Sequence, residues 1–138
     1  MSGIELTGGC LCGRVRYRAE GGPPSVHWCH CGMCRRATGG AAAVLAWVAA
    51  AGLHWTGEAE PAQRRSSPLA RRGFCAACGT PMTLIYDTGP EAGKVALYAG
   101  TLDEPERWPP RHHYGVEGRL PWMDAGKGLP ERETEERW

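Results

Sequence analysis

The sequence predicts a mainly β domain of short, mostly antiparallel strands with one or two short helical turns. Twenty glycines and eleven prolines among 138 residues interrupt the chain too often for long helices. The segments between these breaks are rich in β-branched, aromatic and aliphatic residues, which favour strands. The hydrophobic share of 42% is typical of one globular domain with a single core.

The clearest strand lies in the segment GRVRYRAE, residues 13–20. Its apolar residues Val15, Tyr17 and Ala19 alternate strictly with arginines. Because successive side chains of a strand point to opposite faces, this pattern places the apolar residues against the core and the arginines in solvent. The segment therefore predicts a half-buried strand.

The remaining segments predict further strands and turns along the chain. They are strands at AAAVLAWVA (41–49) and LHWTGE (53–58), an edge hairpin at QRRSSPLARRGF (63–74), strands at TPMTLIYD (80–87) and KVALYAG (94–100), and a last strand at RHHYGV (111–116). The predicted helix is GMCRRAT (32–38), and DEPERW (103–108) predicts a single turn. Since no repeat or linker divides the chain, we expect residues 1–130 to form one domain and the charged residues 131–138 to form a solvated tail.

Charge and hydropathy exclude several classes of protein. A net charge of +1 provides no long-range field that would attract nucleic acid or an anionic membrane, so neither is an expected partner. The most apolar segment, AAAVLAWVAAAGL, has 13 residues, which is fewer than the roughly 20 that a membrane-spanning helix needs. The N-terminus lacks the basic start and apolar core of a signal peptide. We therefore expect a cytoplasmic protein.

Seven cysteines are many for a chain of this length, and their number is odd. They fall into a C-x-C pair, a C-x-C-x-x-C group and a C-x-x-C pair. In a reducing compartment this density favours metal binding or catalysis over disulfides. Closely spaced cysteines also bridge each other poorly but chelate one ion well. A disulfide framework is the alternative that the spacing disfavours.

Two of the cysteine pairs predict a structural zinc site. Cys10, Cys12, Cys75 and Cys78 provide four thiols, and each pair ends in a cysteine followed by glycine. Glycine tolerates the positive φ of the turn in which backbone N–H groups point at thiolate sulfurs. Such a site contributes on the order of 10 kcal/mol to folding. The alternative is two unrelated pairs of buried thiols.

The remaining cysteines predict a second zinc site of another kind. Cys29, Cys31 and Cys34 offer three ligands, and three protein ligands with one exchangeable position are typical of catalytic zinc. Zinc in such a site is a Lewis acid that lowers the pKa of a bound water or thiol. We therefore expect two zinc ions per chain.

The five histidines receive different interpretations. His30 lies between two predicted ligands, and an extended chain would turn its ring away from the metal. His27 and His54 are interpreted as structural residues of strands. Because His112 and His113 are adjacent, one of them should face inward if this segment is a strand, and that ring is the candidate near the second metal. Either ring, or water, is a candidate proton donor.

Several arginines are candidates for binding an acidic substrate. They are Arg35, Arg36, Arg64, Arg65, Arg71 and Arg72. The first two directly follow Cys34 and could also offset the charge of thiolates. The alternative for each arginine is a solvated surface charge, and the sequence does not distinguish these roles.

Five segments together resemble one protein family. They are GGCLCGRVRY, HCGMCRRATG, FCAACGTPM, GTLDEP and PRHHYGVEGRLPWMDAGKGLPE. They are similar to the glutathione-dependent formaldehyde-activating enzyme family, which includes the domain of centromere protein V. The resemblance covers residues 3–131, and the three cysteine groups occur in the family's order.

The resemblance implies a β-tent zinc fold, which methionine sulfoxide reductase B and a Rab exchange factor share. It implies a structural zinc at Cys10, Cys12, Cys75 and Cys78, and a catalytic zinc at the other three cysteines. It also implies a carbon–sulfur lyase that condenses glutathione with formaldehyde to S-hydroxymethylglutathione. The expected partners are thus a small-molecule thiol and an aldehyde, and the sequence indicates no protein partner and no oligomeric state.

Two alternative functions remain open from the sequence. A zinc-stabilised module that binds another protein without catalysis would have the same cysteine pattern. A redox enzyme would need a free cysteine of low pKa that binds no metal, and both metal sites together use all seven cysteines.

Overall fold

Ten strands and one short α-helix make up the computed structural model, which describes residues 3–124 and 126–135. The strands are β1 (Ile4–Gly9), β2 (Arg16–Gly21), β3 (Ser25–Cys29), β4 (Ala43–Ala49), β5 (Leu53–Trp55), β6 (Ala62–Arg65), β7 (Ala70–Phe74), β8 (Pro81–Tyr86), β9 (Lys94–Tyr98) and β10 (His113–Tyr114). Helix α1 is Gly32–Thr38, and short 3₁₀ turns span Ala50–Gly52, Ala99–Thr101, Pro105–Arg107 and Val116–Gly118.

The strands form two sheets. The smaller sheet has the order β1-β2-β5, and the larger has the order β10-β3-β4-β9-β8-β7-β6. All neighbouring strands are antiparallel except β10, which runs parallel to β3. These features confirm the predicted fold class, a mainly β fold with one short helix.

The larger sheet separates two cores, because its strands alternate side chains between its two faces. On β4, Ala46 packs in a first core shared with the smaller sheet, whereas Ala43 and Leu45 pack in a second core with Cys29 and Cys34. The first core also contains Tyr17 and Ala19 of β2 and Val15, which directly precedes that strand. The alternation predicted for residues 13–20 is therefore confirmed.

A bulge between β7 and β8 changes which residues face each core. The register of the two strands shifts at Gly73 and Phe74. Met82 consequently packs in the first core and Leu84 in the second, although residues two apart on a regular strand share one face. Because of the bulge, β8 contributes side chains to both cores.

Strand β1 was not predicted, and β3 was predicted only through the interpretation of His27 as a strand residue. Strand β1 ends in two glycines, a residue type that usually indicates a turn. Gly8 nevertheless lies in the strand, at a position where a side chain would have no room. A Cβ atom on Gly8 would lie 2.3 Å from the Tyr17 hydroxyl, which is far inside the contact distance. Strand β3 pairs with β4 and ends at Cys29, so it carries part of the candidate site.

The ends of the described chain add little regular structure. Residues 131–135 are exposed and without regular secondary structure, while residues 136–138 of the predicted tail lie outside the described residues. The division into a domain at 1–130 and a tail stays a prediction. In the described part of the chain, no helix is long and apolar enough to cross a membrane.

Candidate metal centres

Four cysteines from two loops meet at one end of the first core. Cys10 and Cys12 follow β1, and Cys75 and Cys78 lie between β7 and β8. Their sulfur atoms all lie within 4.8 Å of one another, with Cys12 Sγ 3.7 Å from Cys75 Sγ. We call these residues the four-cysteine cluster.

The two loops of this cluster use the same local geometry. Gly13 and Gly79 have φ of +84° and +82°, a conformation that glycine adopts without a steric penalty. Each turn aims a backbone N–H at a sulfur. Val15 donates to Cys10 Sγ at 3.3 Å, and Cys78 N–H donates to Cys75 Sγ at 3.4 Å. The glycines after Cys12 and Cys78 therefore form the turns with positive φ that the sequence predicted.

The four-cysteine cluster fits a tetrahedral thiophilic metal such as zinc. It offers four thiols and backbone donors that offset thiolate charge. Hydrogen bonds with Thr80 lower the pKa of the Cys78 thiol to about 5, which favours the thiolate form that binds metals. The cluster could therefore hold a metal ion with no position left for a substrate.

The other three cysteines lie on the opposite side of the larger sheet. Cys29 ends β3, Cys31 caps the N-terminus of α1, and Cys34 lies in the first turn of that helix. Their sulfur atoms also lie within 4.8 Å of one another. The Cys31 sulfur accepts a hydrogen bond from the Cys34 N–H at 3.4 Å. Because the turn brings the thiols together, this three-cysteine cluster also fits a metal ion.

An arginine from a neighbouring strand contacts the three-cysteine cluster. Arg72 is only 5% exposed, and it donates to Cys34 Sγ at 3.6 Å and to the Tyr98 hydroxyl at 2.6 Å. Burial opposes its charge, but the hydrogen bond with Cys34 is among the interactions that raise the pKa of Arg72. Arg72 thus places a positive charge beside a thiol that a metal would need as thiolate.

The pKa of the Cys34 thiol is lowered to about 5. The hydrogen bond with Cys29 is the largest cause, burial opposes it, and Arg72 lowers the pKa further. At neutral pH, the cluster therefore carries at least one thiolate, the form that metals bind.

The sequence pattern of the glutathione-dependent formaldehyde-activating enzyme family matches residues 5–117. The chain belongs to this family. A search of curated protein sequences found no significant match.

A solved structure supports the fold of this family member. The crystal structure of a Rhodobacter sphaeroides protein superimposes with a TM-score of 0.61 at 22% sequence identity. The match covers 78% of this chain and 98% of the other. At this level of identity the likeness shows a shared fold.

Four of the five histidines of this family member lie in or beside β3, but none joins the three sulfur atoms. His30 is fully buried, and its Nε2 shares a hydrogen bond with Nδ1 of His113 at 2.9 Å. His27 is buried and stacks on His112. The metal-binding group on this side comprises three cysteines alone among the described residues.

The prediction that His112 or His113 faces inward is wrong. Both side chains are exposed, because β10 is a two-residue strand at the edge of the sheet and runs parallel to β3. Their rings stack against neighbouring rings from that edge, and His113 stacks against Trp28 of β3 and against His30, which follows the strand. His54 is also exposed and lies 3.5 Å from Glu20, as expected of a residue outside the site.

The segment after β10 packs closely over the three-cysteine cluster. A Cβ atom on Gly118 would lie 2.6 Å from the His30 carbonyl oxygen, and one on Gly115 would lie 3.1 Å from the Cys31 nitrogen. Arg35 holds the segment in place by donating to the Gly118 carbonyl at 3.2 Å. Arg35 therefore has a structural contact that the sequence did not indicate.

A cavity of about 200 Å³ is lined in part by Arg72, the arginine that contacts Cys34. Its lining residues come from α1, from strands β6 to β9 and from the loop that carries Cys75 and Cys78. They are Ala37, Arg64, Arg72, Gly73, Phe74, Gly79, Pro81 and Tyr98. Arg64 and Arg72 were among the arginines predicted to bind an acidic substrate. The pairing of β6 with β7 places both at this one cavity.

Proposed function

We propose that this protein is a zinc-dependent carbon–sulfur lyase that joins a small-molecule thiol to an aldehyde, with glutathione and formaldehyde as the first pair. The observation that carries the proposal is the separation of the cysteines into one cluster of four and one of three. Four thiolates complete a tetrahedral zinc site, whereas three leave a position for a substrate. Membership of the family supports the choice of substrates.

The proposed catalytic zinc ligands are Cys29, Cys31 and Cys34, and the proposed structural ligands are the four-cysteine cluster. Zinc at the three-cysteine cluster would supply a Lewis acid that keeps a substrate thiol in its thiolate form at neutral pH. The chain's own contribution is to fix the three sulfurs by a helix turn and to hold the charged Arg72 beside them.

The reaction itself makes one bond and moves one proton. The thiol sulfur bonds to the carbonyl carbon, the carbon–oxygen π pair moves to the oxygen, and the oxygen takes up a proton equivalent to the one that the thiol lost. In the reverse direction the carbon–sulfur bond breaks. The product therefore contains all atoms of both reactants.

Of the two histidines proposed as proton donors, His113 is the better placed. Its Nδ1 shares a hydrogen bond with His30 Nε2, and His30 lies between two cysteines of the cluster. The exposed ring of His113 can exchange protons with water. His112 instead stacks on His27. Water remains the alternative donor, and a His113→Gln variant with unchanged turnover would assign that role to water.

The test combines metal analysis with turnover. Purified protein should contain two zinc ions per chain, and it should form S-hydroxymethylglutathione from glutathione and formaldehyde faster than the uncatalysed reaction. One zinc per chain together with three titratable free thiols would contradict the proposal. Two zincs without any rate enhancement for thiol and aldehyde pairs would instead favour a zinc-stabilised binding module.

The redox alternative has little support in this structure. Such an enzyme needs a reactive cysteine that binds no metal. All seven cysteines belong to the two clusters, so a redox cysteine would have to leave one of them.

A further inference from the structure

Tyr86 lies on the same side of the larger sheet as the three-cysteine cluster. It is the last residue of β8, and Leu84, two positions earlier on this strand, belongs to the second core. Because residues two apart on a regular strand share one face, Tyr86 points to the same side. Its side chain packs against the second core, which also contains Cys29 and Cys34.

The pairing of β7 with β8 brings Tyr86 close to Arg72. In this register the two residues are diagonal neighbours on one face, a separation that long and aromatic side chains can span. Arg72 contacts the Cys34 sulfur at 3.6 Å. The Tyr86 hydroxyl also interacts electrostatically with two cysteines of the cluster, Cys34 and Cys29. The strand register therefore places a phenol group beside the candidate metal ligands.

The side chain of Tyr86 is supported from two directions. Its ring stacks on that of Trp47 in β4, with the ring centroids 6.1 Å apart and the planes inclined by 15°. The next residue, Asp87, forms ion pairs with Arg65 at 2.8 Å and with Arg71 at 2.9 Å, and these pairs anchor the end of β8 to the neighbouring hairpin. The hydroxyl is thus preorganised, as a catalytic hydrogen-bond donor must be.

The Tyr86 hydroxyl is available to a ligand. Tyr86 is half-buried, and its hydroxyl forms no hydrogen bond with any other residue that the structure describes. By contrast, the hydroxyl of Tyr98, which packs in the same core, bonds to Arg72. Burial is the main cause that raises the pKa of Tyr86, and the charge of Cys34 raises it further. The phenol therefore keeps its proton at neutral pH and can donate it in a hydrogen bond.

We infer that the Tyr86 hydroxyl donates a hydrogen bond to the oxygen of the aldehyde substrate and stabilises the negative charge that develops there when the thiol sulfur bonds to the carbonyl carbon. The inference rests on the proposed function and deepens it by adding a catalytic residue to the same site. A fixed donor to a developing oxyanion commonly contributes a factor of about 100 or more to turnover. Tyr86 keeps its proton throughout, and the oxygen is protonated by His113 or by water, so the reaction stays balanced.

The test measures the binding of two small thiol probes and does not depend on turnover. Thioacetate carries an oxygen on the carbon that bears its sulfur, as the thiol–aldehyde adduct does, whereas ethanethiol has no oxygen. Calorimetric titration of the zinc-loaded protein compares both probes in the unchanged chain, in Tyr86→Phe and in the matched control Tyr114→Phe. Phenylalanine keeps the ring that stacks on Trp47, and Tyr114 is 63% exposed, so neither substitution removes buried surface.

Tyr86→Phe should weaken thioacetate binding by about tenfold or more, in keeping with the loss of one hydrogen bond to a charged acceptor, and should leave ethanethiol binding unchanged. Tyr114→Phe should change neither affinity. Equal weakening of both probes, unchanged thioacetate binding in Tyr86→Phe, the same loss in Tyr114→Phe, or no binding of either probe by the unchanged chain would overturn the inference.

The glutathione–formaldehyde assay separates this inference from the proposed function. If thioacetate binding depends on Tyr86 but no product forms from glutathione and formaldehyde, the hydrogen bond from Tyr86 is established and the proposed function fails. If product forms but thioacetate binding does not depend on Tyr86, only the inference fails.

Discussion

The four-cysteine and three-cysteine clusters offer the same ligand atoms but differ in the segments of chain that they join. The four-cysteine cluster joins segments that are 63 positions apart at Cys12 and Cys75, whereas the three-cysteine cluster lies within residues 29–34. The first cluster is braced by two glycine turns, and the second by a helix cap and by Arg72. Ligand type alone therefore does not distinguish the two clusters, but their connectivity does. A metal in the four-cysteine cluster would join distant segments of the chain, whereas a metal in the three-cysteine cluster would bind within one short segment.

The largest effect should come from removing a ligand of the four-cysteine cluster. Cys75→Ser takes away a buried thiol that joins the two loops, and we expect the domain to lose most of its stability, since a structural zinc contributes on the order of 10 kcal/mol. Circular dichroism and thermal unfolding measure this loss. A Cys75→Ser protein that melts like the unchanged chain would contradict the structural role of this cluster.

The equivalent change in the three-cysteine cluster should spare the fold. Cys31→Ser should retain the unfolding midpoint of the unchanged chain to within a few degrees, lose one zinc per chain and lose at least about 100-fold in turnover, the scale of a missing catalytic group. Metal analysis and the glutathione–formaldehyde assay check the two losses. Unchanged turnover would remove the catalytic assignment, and unfolding would make the two clusters alike.

Replacing Arg72 should weaken the three-cysteine cluster without removing a ligand. Arg72→Met keeps much of the buried side-chain volume but removes the charge next to Cys34, and we expect zinc affinity to fall by about tenfold or more, as for other residues that support metal ligands. Competition with a chelator measures this affinity. Zinc bound at the four-cysteine cluster would serve as the internal control, and equal weakening of both sites would show a general loss of stability instead.

Replacing a glycine of the two cysteine loops should lower the free energy of unfolding slightly more than replacing a glycine that has no positive φ. Gly79→Ala meets no neighbouring atom, but its φ of +82° is strained for alanine, which should lower the free energy of unfolding by about 1 kcal/mol. Gly100→Ala is the matched control, since it also has open space and lacks a positive φ. Urea unfolding of the zinc-loaded proteins compares them. Equal stability of the two variants would contradict the proposed need for glycine.

Local sequence patterns predicted the features that depend on nearby residues. Alternation predicted β2, and the helix at 32–38 coincides with α1. The spacing of the cysteines predicted the three-cysteine cluster and the two separate pairs, and the Cys-Gly pattern that the two pairs share predicted that they form one site. Gly8 has no room for a side chain because the distant residue Tyr17 lies against it. No local pattern indicates such a contact, so β1 was not predicted.

Features that depend on strand register could not be predicted. The contact of Arg72 with Cys34 and its position opposite Arg64 follow from the pairing of β6 with β7 and from the fold of the larger sheet. The same holds for His113, whose exposure follows from the edge position of β10. A sequence shows which arginines and histidines exist, but only the register shows which of them meet.

The connectivity of the two clusters also has a consequence for the nascent chain. Cys10 and Cys12 leave the ribosome long before Cys75, so the four-cysteine cluster can close only after most of the domain has been synthesised. Cys29, Cys31 and Cys34 emerge almost together and can capture a metal ion while the rest is still unmade. We therefore expect an ion at the three-cysteine cluster to be acquired earlier in translation than an ion at the four-cysteine cluster.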